Sequence, residues 1–232
     1  MKWWTGLLDV LFPRCCPMCD TLLEENEEIC PACMEQLPRT EQASLRGNST
    51  EELFSDIKRF ERGGCFMFFD KASPVQQMLH QMKYSETPGI GYQLAKEAAY
   101  DFMTADFFDG IDVIIPVPLH KRRLRERGFN QSEWIAKGLS DVTGIPMDTS
   151  HILRVVNNQK QATKSGAERK ANVEKIFAVS HPEEMYRKHI LLVDDIITTG
   201  STLHSCIKTM SAFRGCKVSV FALSKARKTI LQ

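Results

Sequence analysis

Short apolar runs alternate with amphipathic segments along most of the chain. The run at residues 190–193 has the length and composition of a buried strand. Elsewhere apolar residues recur every three or four positions, as at Leu94, Ala98 and Phe102, which is typical of a helix packed on a core. The alternation predicts an α/β fold with a mostly parallel sheet flanked by helices. The predicted strands are residues 64–70, 112–117, 190–193 and 218–223, and the predicted helices are residues 74–84, 92–106, 130–144 and a segment through Leu203, Ile207 and Met210 that ends at Gly215.

The strand at residues 190–193 runs into polar residues that suit a sugar phosphate. Asp194 and Asp195 follow it, and two isoleucines separate them from a turn of small hydroxylated residues. Carboxylates at the carboxyl end of a strand can accept hydrogen bonds from vicinal ribose hydroxyls, and such a turn offers N–H and OH donors to a phosphate. An ordinary strand-to-helix turn capped by Thr and Ser is the alternative. The predicted phosphate ligands are Thr198, Thr199, Gly200, Ser201 and Thr202.

Five cations follow the predicted strand at residues 112–117. They fall within seven consecutive positions, directly before a G-F-N-Q sequence. Crowded cations are costly unless an anion neutralises them, and a pyrophosphate or a nucleic-acid backbone would do so. For any single arginine of this run, the alternative is a solvated surface position. The basic segment at residues 157–175, together with Arg154, could bind either anion. The five cations are Lys121, Arg122, Arg123, Arg125 and Arg127.

Two C-x-x-C pairs lie near the amino terminus. Cys16 and Cys19 form the first pair, and Cys30 and Cys33 form the second after ten intervening residues. Each pair can place two thiolates on one tight turn, and two facing turns complete a tetrahedral zinc site with no open coordination position. We therefore expect one structural zinc ion. A redox C-x-x-C and a pair of disulfides are the alternatives, and Cys15 could compete with Cys16 as a ligand.

Length and composition fit one α/β domain with a small appendage. The chain has 232 residues, of which 43% are hydrophobic and 25% are charged. Its formal net charge is only +1, but residues 1–70 carry seven Lys and Arg against thirteen Asp and Glu, whereas residues 116–175 carry twelve against six. The basic middle suits an anionic ligand. The predicted parts are an N-terminal helix and zinc module at residues 1–38, a linker or short helix at residues 39–62, and the main domain at residues 63–232.

No apolar run approaches the roughly 20 residues needed to span a bilayer. The apolar start at residues 3–12 ends at Pro13 without a small-residue cleavage site. A helix packed on the rest of the molecule is therefore expected, with a peripheral membrane foothold as the alternative. Eight cysteines without a signal peptide predict metal ligands and free thiols in a reducing cytoplasm. The predicted core thiols are Cys65, Cys206 and Cys216.

These motifs resemble those of known families. The order of apolar strand, Asp194, Asp195 and Thr-Thr-Gly resembles the phosphoribosyl pyrophosphate (PRPP) signature of type I phosphoribosyltransferases. The run P-x-P-L-H-x-x-R-x-x-x-R-G-F-N-Q at residues 116–131, with a later Q…R…N…F series at residues 161–177, resembles the ComF/ComFC family of DNA-uptake competence proteins. That family joins a four-cysteine zinc module to a type I phosphoribosyltransferase-like domain.

The resemblance implies roles for named residues. Asp194 and Asp195 would hold the ribose hydroxyls as the catalytic candidates, and the turn at residues 198–202 would hold the 5-phosphate. In type I transferases, the region corresponding to residues 157–175 is a loop that closes over PRPP. Mg²⁺ would bridge the pyrophosphate. The pyrophosphate would face the turn at residues 116–120 and three basic side chains, His120, Arg123 and Arg127.

The resemblance also implies a function. The first hypothesis is a cytoplasmic protein of natural transformation that handles incoming single-stranded DNA with a membrane-associated translocation ATPase, which would recruit it to the inner face of the membrane. An active phosphoribosyltransferase acting on PRPP and a nucleobase-like acceptor is the second. A zinc-dependent adaptor without catalysis is the third. The DNA-contacting candidates are Arg122, Arg123, Arg125, Arg127 and Phe129.

Overall fold

The structure is a computed structural model that describes residues 13–84, 87–155 and 176–227. The expectations for the apolar start at residues 3–12 and for the basic segment at residues 157–175 lie outside the described residues. Within the described residues, no helix has the length and hydropathy needed to cross a bilayer. In chain order, the helices and strands are α1 (Pro31–Glu35), β1 (Phe60–Phe69), α2 (Pro74–Tyr84), α3 (Gly89–Met103), β2 (Val113–Pro116), α4 (Lys121–Arg127), α5 (Gln131–Thr143), β3 (Ile152–Arg154), β4 (Phe177–Val179), β5 (His189–Ile197), α6 (Ser201–Ser211) and β6 (Lys217–Ala226).

Four strands form one parallel sheet in the order β1-β6-β5-β2. β5 pairs with β2 on one side, where Pro116 lies opposite Val193, and with β6 on the other. Because the strands are parallel, their carboxyl ends share one edge of the sheet. The N–H of Val117 donates to the carbonyl of Val193 at 2.8 Å. The chain that leaves β2 therefore begins beside Asp194.

Successive residues of β5 face opposite sides of the sheet. Leu191 and Val193 pack in a core with α2, α3 and α5, whereas Ile190 and Leu192 pack with α6 and the antiparallel β3–β4 ribbon. All four side chains are fully buried. Burial on both faces explains the continuous apolar run, and the predicted fold class is confirmed.

Several elements differ from the sequence prediction. β1 begins earlier and β6 ends later, because they pair from Phe60 opposite Val218 to Phe69 opposite Ala226. The basic run forms the helix α4, which His120 caps by accepting the N–H of Arg122 at 3.2 Å. No residue of α4 is buried. The helix therefore has no apolar face that a sequence pattern would reveal.

Residues 39–62 pack on the sheet. Glu51–Phe54 form a short 3₁₀ helix whose Phe54 is fully buried. Gln42 Oε1 accepts the N–H of Cys65 at 3.1 Å and the hydroxyl of Thr50 at 2.7 Å. These contacts tie the segment to β1.

Candidate functional site

The two adjacent acidic residues lie on β5 at the carboxyl edge of the sheet. Asp194 Oδ1 accepts the Ser132 hydroxyl at 3.2 Å and the N–H of Asp195 at 3.0 Å. Asp195 Oδ2 lies 2.8 Å from Nζ of Lys83, and these side chains are only 14% and 20% exposed. Side chains from α2 and α5 thus hold the carboxylates in place.

Burial and the neighbouring charge change the ionisation of Asp194. Removal from water disfavours the charged form, and the Asp195 carboxylate disfavours it further, so the pKa of Asp194 rises from 3.8 to about 7. The Asp195 N–H, the Lys83 ammonium and the Ser132 hydroxyl act in the opposite direction. Near neutral pH the Asp194 carboxyl is therefore only partly ionised, and further hydrogen-bond donors would favour its charged form.

The turn at residues 198–202 joins β5 to α6. Gly200 has φ +74°, a left-handed conformation, and a Cβ there would lie 3.3 Å from the Phe54 ring. The hydroxyls of Thr199 and Ser201 lie 2.7 Å apart. Together with Asp194, the turn lines a concave surface at the start of α6. Its hydroxyl and N–H donors suit an anion next to the carboxylates.

Arg127 connects the basic helix α4 to the carboxylate site. Its guanidinium donates to Gln131 Oε1 at 3.0 Å and to the Tyr84 hydroxyl at 3.1 Å, and lies 4.8 Å from the centre of the Tyr84 ring. Tyr84 directly follows Lys83, whose ammonium contacts Asp195. The carboxyl end of α2 therefore contacts both the acidic pair and α4.

The other predicted basic residues have different surroundings. Arg122 pairs with Glu126 at 2.8 Å, and both side chains are more than half exposed. Arg125 is exposed, whereas Arg123 and Phe129 are partly buried. α4 therefore carries exposed cations and partly buried cations. The exposed ones are Lys121, Arg122 and Arg125, and the partly buried ones are Arg123 and Arg127.

Sequence reasoning missed two contacts of the acidic pair and left a third residue of the site without a defined role. Lys83 and Ser132 contact the two carboxylates directly. The charge of Asp194 also acts on Arg154, at the end of β3. All three lie far from residues 194–195 in sequence and belong to no motif, so no sequence signal identified their contacts.

The four predicted cysteine ligands form one cluster. All four sulfurs lie within 4.8 Å of one another, and Cys19 Sγ lies 3.6 Å from Cys30 Sγ. Tetrahedral zinc with bonds of about 2.3 Å needs sulfur separations of about 3.8 Å. Cys15 Sγ instead points to the carbonyl of Pro13 at 3.7 Å, so Cys16 is the member of the cluster.

The local chemistry of the cluster suits thiolate ligands. The Thr21 side chain and N–H lower the pKa of Cys19 to about 6, whereas burial and the neighbouring thiols raise the pKa of Cys33. A bound cation would stabilise the crowded thiolates. None of the eight cysteines forms a disulfide, and the predicted core thiols are buried. These are Cys65, Cys206 and Cys216.

The cysteine module is attached to α3 by a polar contact. Gln93 Oε1 accepts the N–H groups of Glu28 and Ile29 at 2.8 and 3.0 Å, and Gln93 Nε2 donates to the carbonyl of Ile29 at 3.2 Å. Arg39, which follows the module, forms ion pairs with Glu97 and Asp101 of α3. The module is therefore fixed to the core helix that precedes β2.

Two domain families match the chain. Residues 7–44 match the double zinc ribbon domain, and residues 126–231 match the phosphoribosyl transferase domain. The first match and the four-cysteine cluster support a structural zinc ion. The second match includes the acidic pair and the turn at residues 198–202.

The chain is also similar to named proteins. It is 29% identical over 217 residues to Competence protein F of Haemophilus influenzae, covering 93% of this chain and 86% of that protein. It is 30% identical over 159 residues to the DNA utilization protein YhgH of Salmonella typhi, covering 67% and 69%. A solved structure of glutamine PRPP amidotransferase from B. subtilis aligns with a TM-score of 0.44 and 19% identity over 62% of this chain and 30% of that chain. The two domain matches and the extent of similarity to both named proteins show that the chain belongs to the ComF/ComFC family of competence and DNA-utilisation proteins.

Proposed function

We propose that this protein binds a PRPP-like ribose phosphate at the carboxyl edge of its sheet and acts in DNA uptake during natural transformation. The observation that carries the proposal is the placement of Asp194 and Asp195 beside the open turn at residues 198–202. Membership of a competence family supports the physiological role.

The proposed complex uses the acidic pair and the turn for different parts of the ligand. Asp194 and Asp195 accept hydrogen bonds from the two ribose hydroxyls. These hydrogen bonds replace the ones that the carboxylates lose to water when they are buried. The turn at residues 198–202 donates to the 5-phosphate. The group on C1 faces residues 116–120 and three side chains, His120, Arg123 and Arg127. In the structure the His120 side chain also caps α4.

Mg²⁺ fits this arrangement as a partner of the diphosphate. Among the described residues, groups of three or more metal-ligating side chains occur at the four cysteines and at residues 181–184, and neither group includes Asp194 or Asp195. A diphosphate supplies the hard oxygen ligands that Mg²⁺ prefers. The ion would neutralise part of the diphosphate charge.

We further propose that single-stranded DNA contacts α4. Arg122 and Arg125 are exposed there, and Phe129 follows the helix. Exposed cations bind phosphates, and an adjacent aromatic ring can stack on a base. In this proposal the protein acts in the cytoplasm and passes DNA to or from a membrane-associated translocation ATPase.

A transformation assay tests the proposed function. Asp194→Ala with Asp195→Ala should reduce DNA uptake strongly, because ribose hydroxyls lose both acceptors. Glu25→Ala, which removes an exposed carboxylate from the cysteine module, is the control. Wild-type uptake by a double variant that is folded and normally abundant would refute a requirement for this site.

The same geometry supports a second candidate, an active phosphoribosyltransferase. An acceptor nitrogen would attack the anomeric carbon, form the new glycosidic bond and displace pyrophosphate, which leaves with the electrons of the broken C–O bond. The proton of the acceptor N–H would pass to water. Arg123, Arg127 and the other cations near residues 116–120 would stabilise the leaving group's charge. Release of pyrophosphate from PRPP should be screened across nucleobases, and the absence of turnover with every base would leave ligand binding without transfer.

A further inference from the structure

Arg154 has a buried hydrogen-bond donor without a partner in the described part of the chain. It ends β3 opposite Phe177 of β4, and its guanidinium carbon lies 5.6 Å from the centre of the Phe177 ring. Its Nε is buried and makes no hydrogen bond to any residue that the structure describes. Most buried donors in proteins are paired, and an unpaired donor on a cationic group is costly. The position therefore suits an anion that accepts from Arg154 when it binds.

The Phe177 ring beside the Arg154 guanidinium packs in one apolar cluster with side chains that lie after β2, at the end of β5 and at the start of α6. These are Val117, Ile197 and Leu203. Burial lowers the pKa of the Arg154 guanidinium, the like charge of Arg123 lowers it further, and the Asp194 carboxylate raises it. Arg123 and Arg154 come from elements far apart in sequence, yet the charge of Arg123 acts on Arg154. Two cations that repel each other beside a single carboxylate favour binding of a multiply charged anion.

We infer that Arg154 binds the diphosphate on C1 of the ligand, and that the Arg123–Arg154 pair favours a ligand with a diphosphate on C1 over one with a hydroxyl there. This inference rests on the proposed ribose-phosphate site. It assigns the specificity for the C1 group to Arg154, whereas Asp194, Asp195 and the turn at residues 198–202 recognise parts that ribose 5-phosphate shares with PRPP.

Calorimetric titrations with three ligands test the inference. Wild-type protein should bind PRPP with Mg²⁺ more tightly than ribose 5-phosphate, and should also bind inorganic pyrophosphate with Mg²⁺. Arg154→Gln should weaken PRPP and pyrophosphate binding by about 10–100-fold, the usual effect of losing hydrogen bonds to a charged group. Its affinity for ribose 5-phosphate should change by less than about threefold. Arg154→Lys should restore part of the loss because it keeps the charge.

Arg214→Gln is the matched control, because Arg214 is exposed in the loop between α6 and β6, at the sheet edge opposite the acidic pair. It should leave all three affinities unchanged. Equal losses for PRPP and ribose 5-phosphate in folded Arg154→Gln would assign Arg154 a structural role and overturn the inference. Unchanged PRPP affinity in that variant would also overturn it. If wild-type protein binds none of the three ligands, the proposed function itself is refuted. If wild-type protein binds them but Arg154→Gln does not selectively weaken binding of the diphosphate ligands, only the inference about Arg154 is refuted.

Discussion

Asp194 and Asp195 are neighbours in sequence but have different electrostatic partners. Asp194 accepts hydrogen bonds from neutral groups, the Ser132 hydroxyl and a backbone N–H, whereas Asp195 contacts the Lys83 ammonium. Burial and the adjacent charge raise the pKa of Asp194 to about 7. At neutral pH the charge on Asp194 therefore lowers stability, whereas the charge on Asp195 compensates a partly buried cation.

Asp194→Asn should stabilise the ligand-free protein at alkaline pH. In the wild-type protein, the raised pKa means that stability falls as pH increases from about 4 to about 7 and then levels off. Asparagine keeps an oxygen that can accept from Ser132 but does not ionise. The gain should be about 1–3 kcal/mol at pH 8, or about 2–12 °C in Tm, and should vanish near pH 4. Thermal unfolding between pH 4 and 8 measures it.

Asp195→Asn provides the contrasting variant. It leaves the Lys83 ammonium without its carboxylate, so stability at pH 8 should fall by about 1–2 kcal/mol. A gain for Asp194→Asn that does not depend on pH would contradict the assigned ionisation. So would a change of the same sign in both variants.

At the scale of elements, α4 combines an exposed basic side with a side attached to α2 through Arg127 and Tyr84. Neutralising Arg122, Arg123, Arg125 and Arg127 to Gln should weaken binding of single-stranded DNA by at least about tenfold and flatten its salt dependence, because fewer counterions are released. Fluorescence anisotropy of a labelled oligonucleotide across a salt series measures both effects.

A charge-matched control separates α4 from the overall charge of the protein. Four exposed lysines outside α4 can be neutralised instead, and we expect a much smaller loss of DNA affinity. A variant limited to Arg122 and Arg125 spares the Arg127–Tyr84 contact and should keep the fold intact. Equal losses in the α4 and control variants would refute the assignment of DNA binding to α4. The control lysines are Lys58, Lys71, Lys188 and Lys208.

The cysteine module and α3 should be thermodynamically coupled through Gln93. Gln93→Ala removes the acceptor of two N–H groups, at Glu28 and Ile29, and should lower the free energy of unfolding by about 1–3 kcal/mol. Gln77→Ala, at an exposed position of α2, should change it by less than about 0.5 kcal/mol. Denaturant unfolding measures both values.

Removal of zinc should give a larger loss of stability than Gln93→Ala, because metal binding stabilises the folded module directly. A chelator should therefore lower the unfolding midpoint, and added zinc should restore it. Full stability without metal, or no zinc in the purified protein, would contradict the four-cysteine site.

At the scale of the whole molecule, sequence patterns predicted the sheet and the cysteine cluster because both leave a local signal. β5 is buried on both faces and is therefore continuously apolar, and the four cysteines repeat a fixed spacing. The helix α4 was not predicted from the sequence, because none of its residues is buried. Charged helices on a surface have no apolar periodicity.

The contacts that organise the site were not predictable in the same way. Ser132 lies 62 residues from Asp194, and Lys83 reaches Asp195 from the end of α2. Such pairs depend on how helices cross the sheet edge, and a single sequence contains no information about those distances. The choice between Cys15 and Cys16 was likewise settled only by the direction of each thiol.

Direct titration of PRPP with Mg²⁺ into the purified protein tests the central claim, that Asp194, Asp195 and the turn at residues 198–202 form a ribose-phosphate site. We predict one binding site per chain. Asp194→Ala with Asp195→Ala should lower the affinity by at least about 30-fold, because two hydrogen-bonded acceptors are lost, and Glu25→Ala should leave it unchanged. Absence of binding by the wild-type protein, or equal affinity in the folded double variant, would contradict the claim.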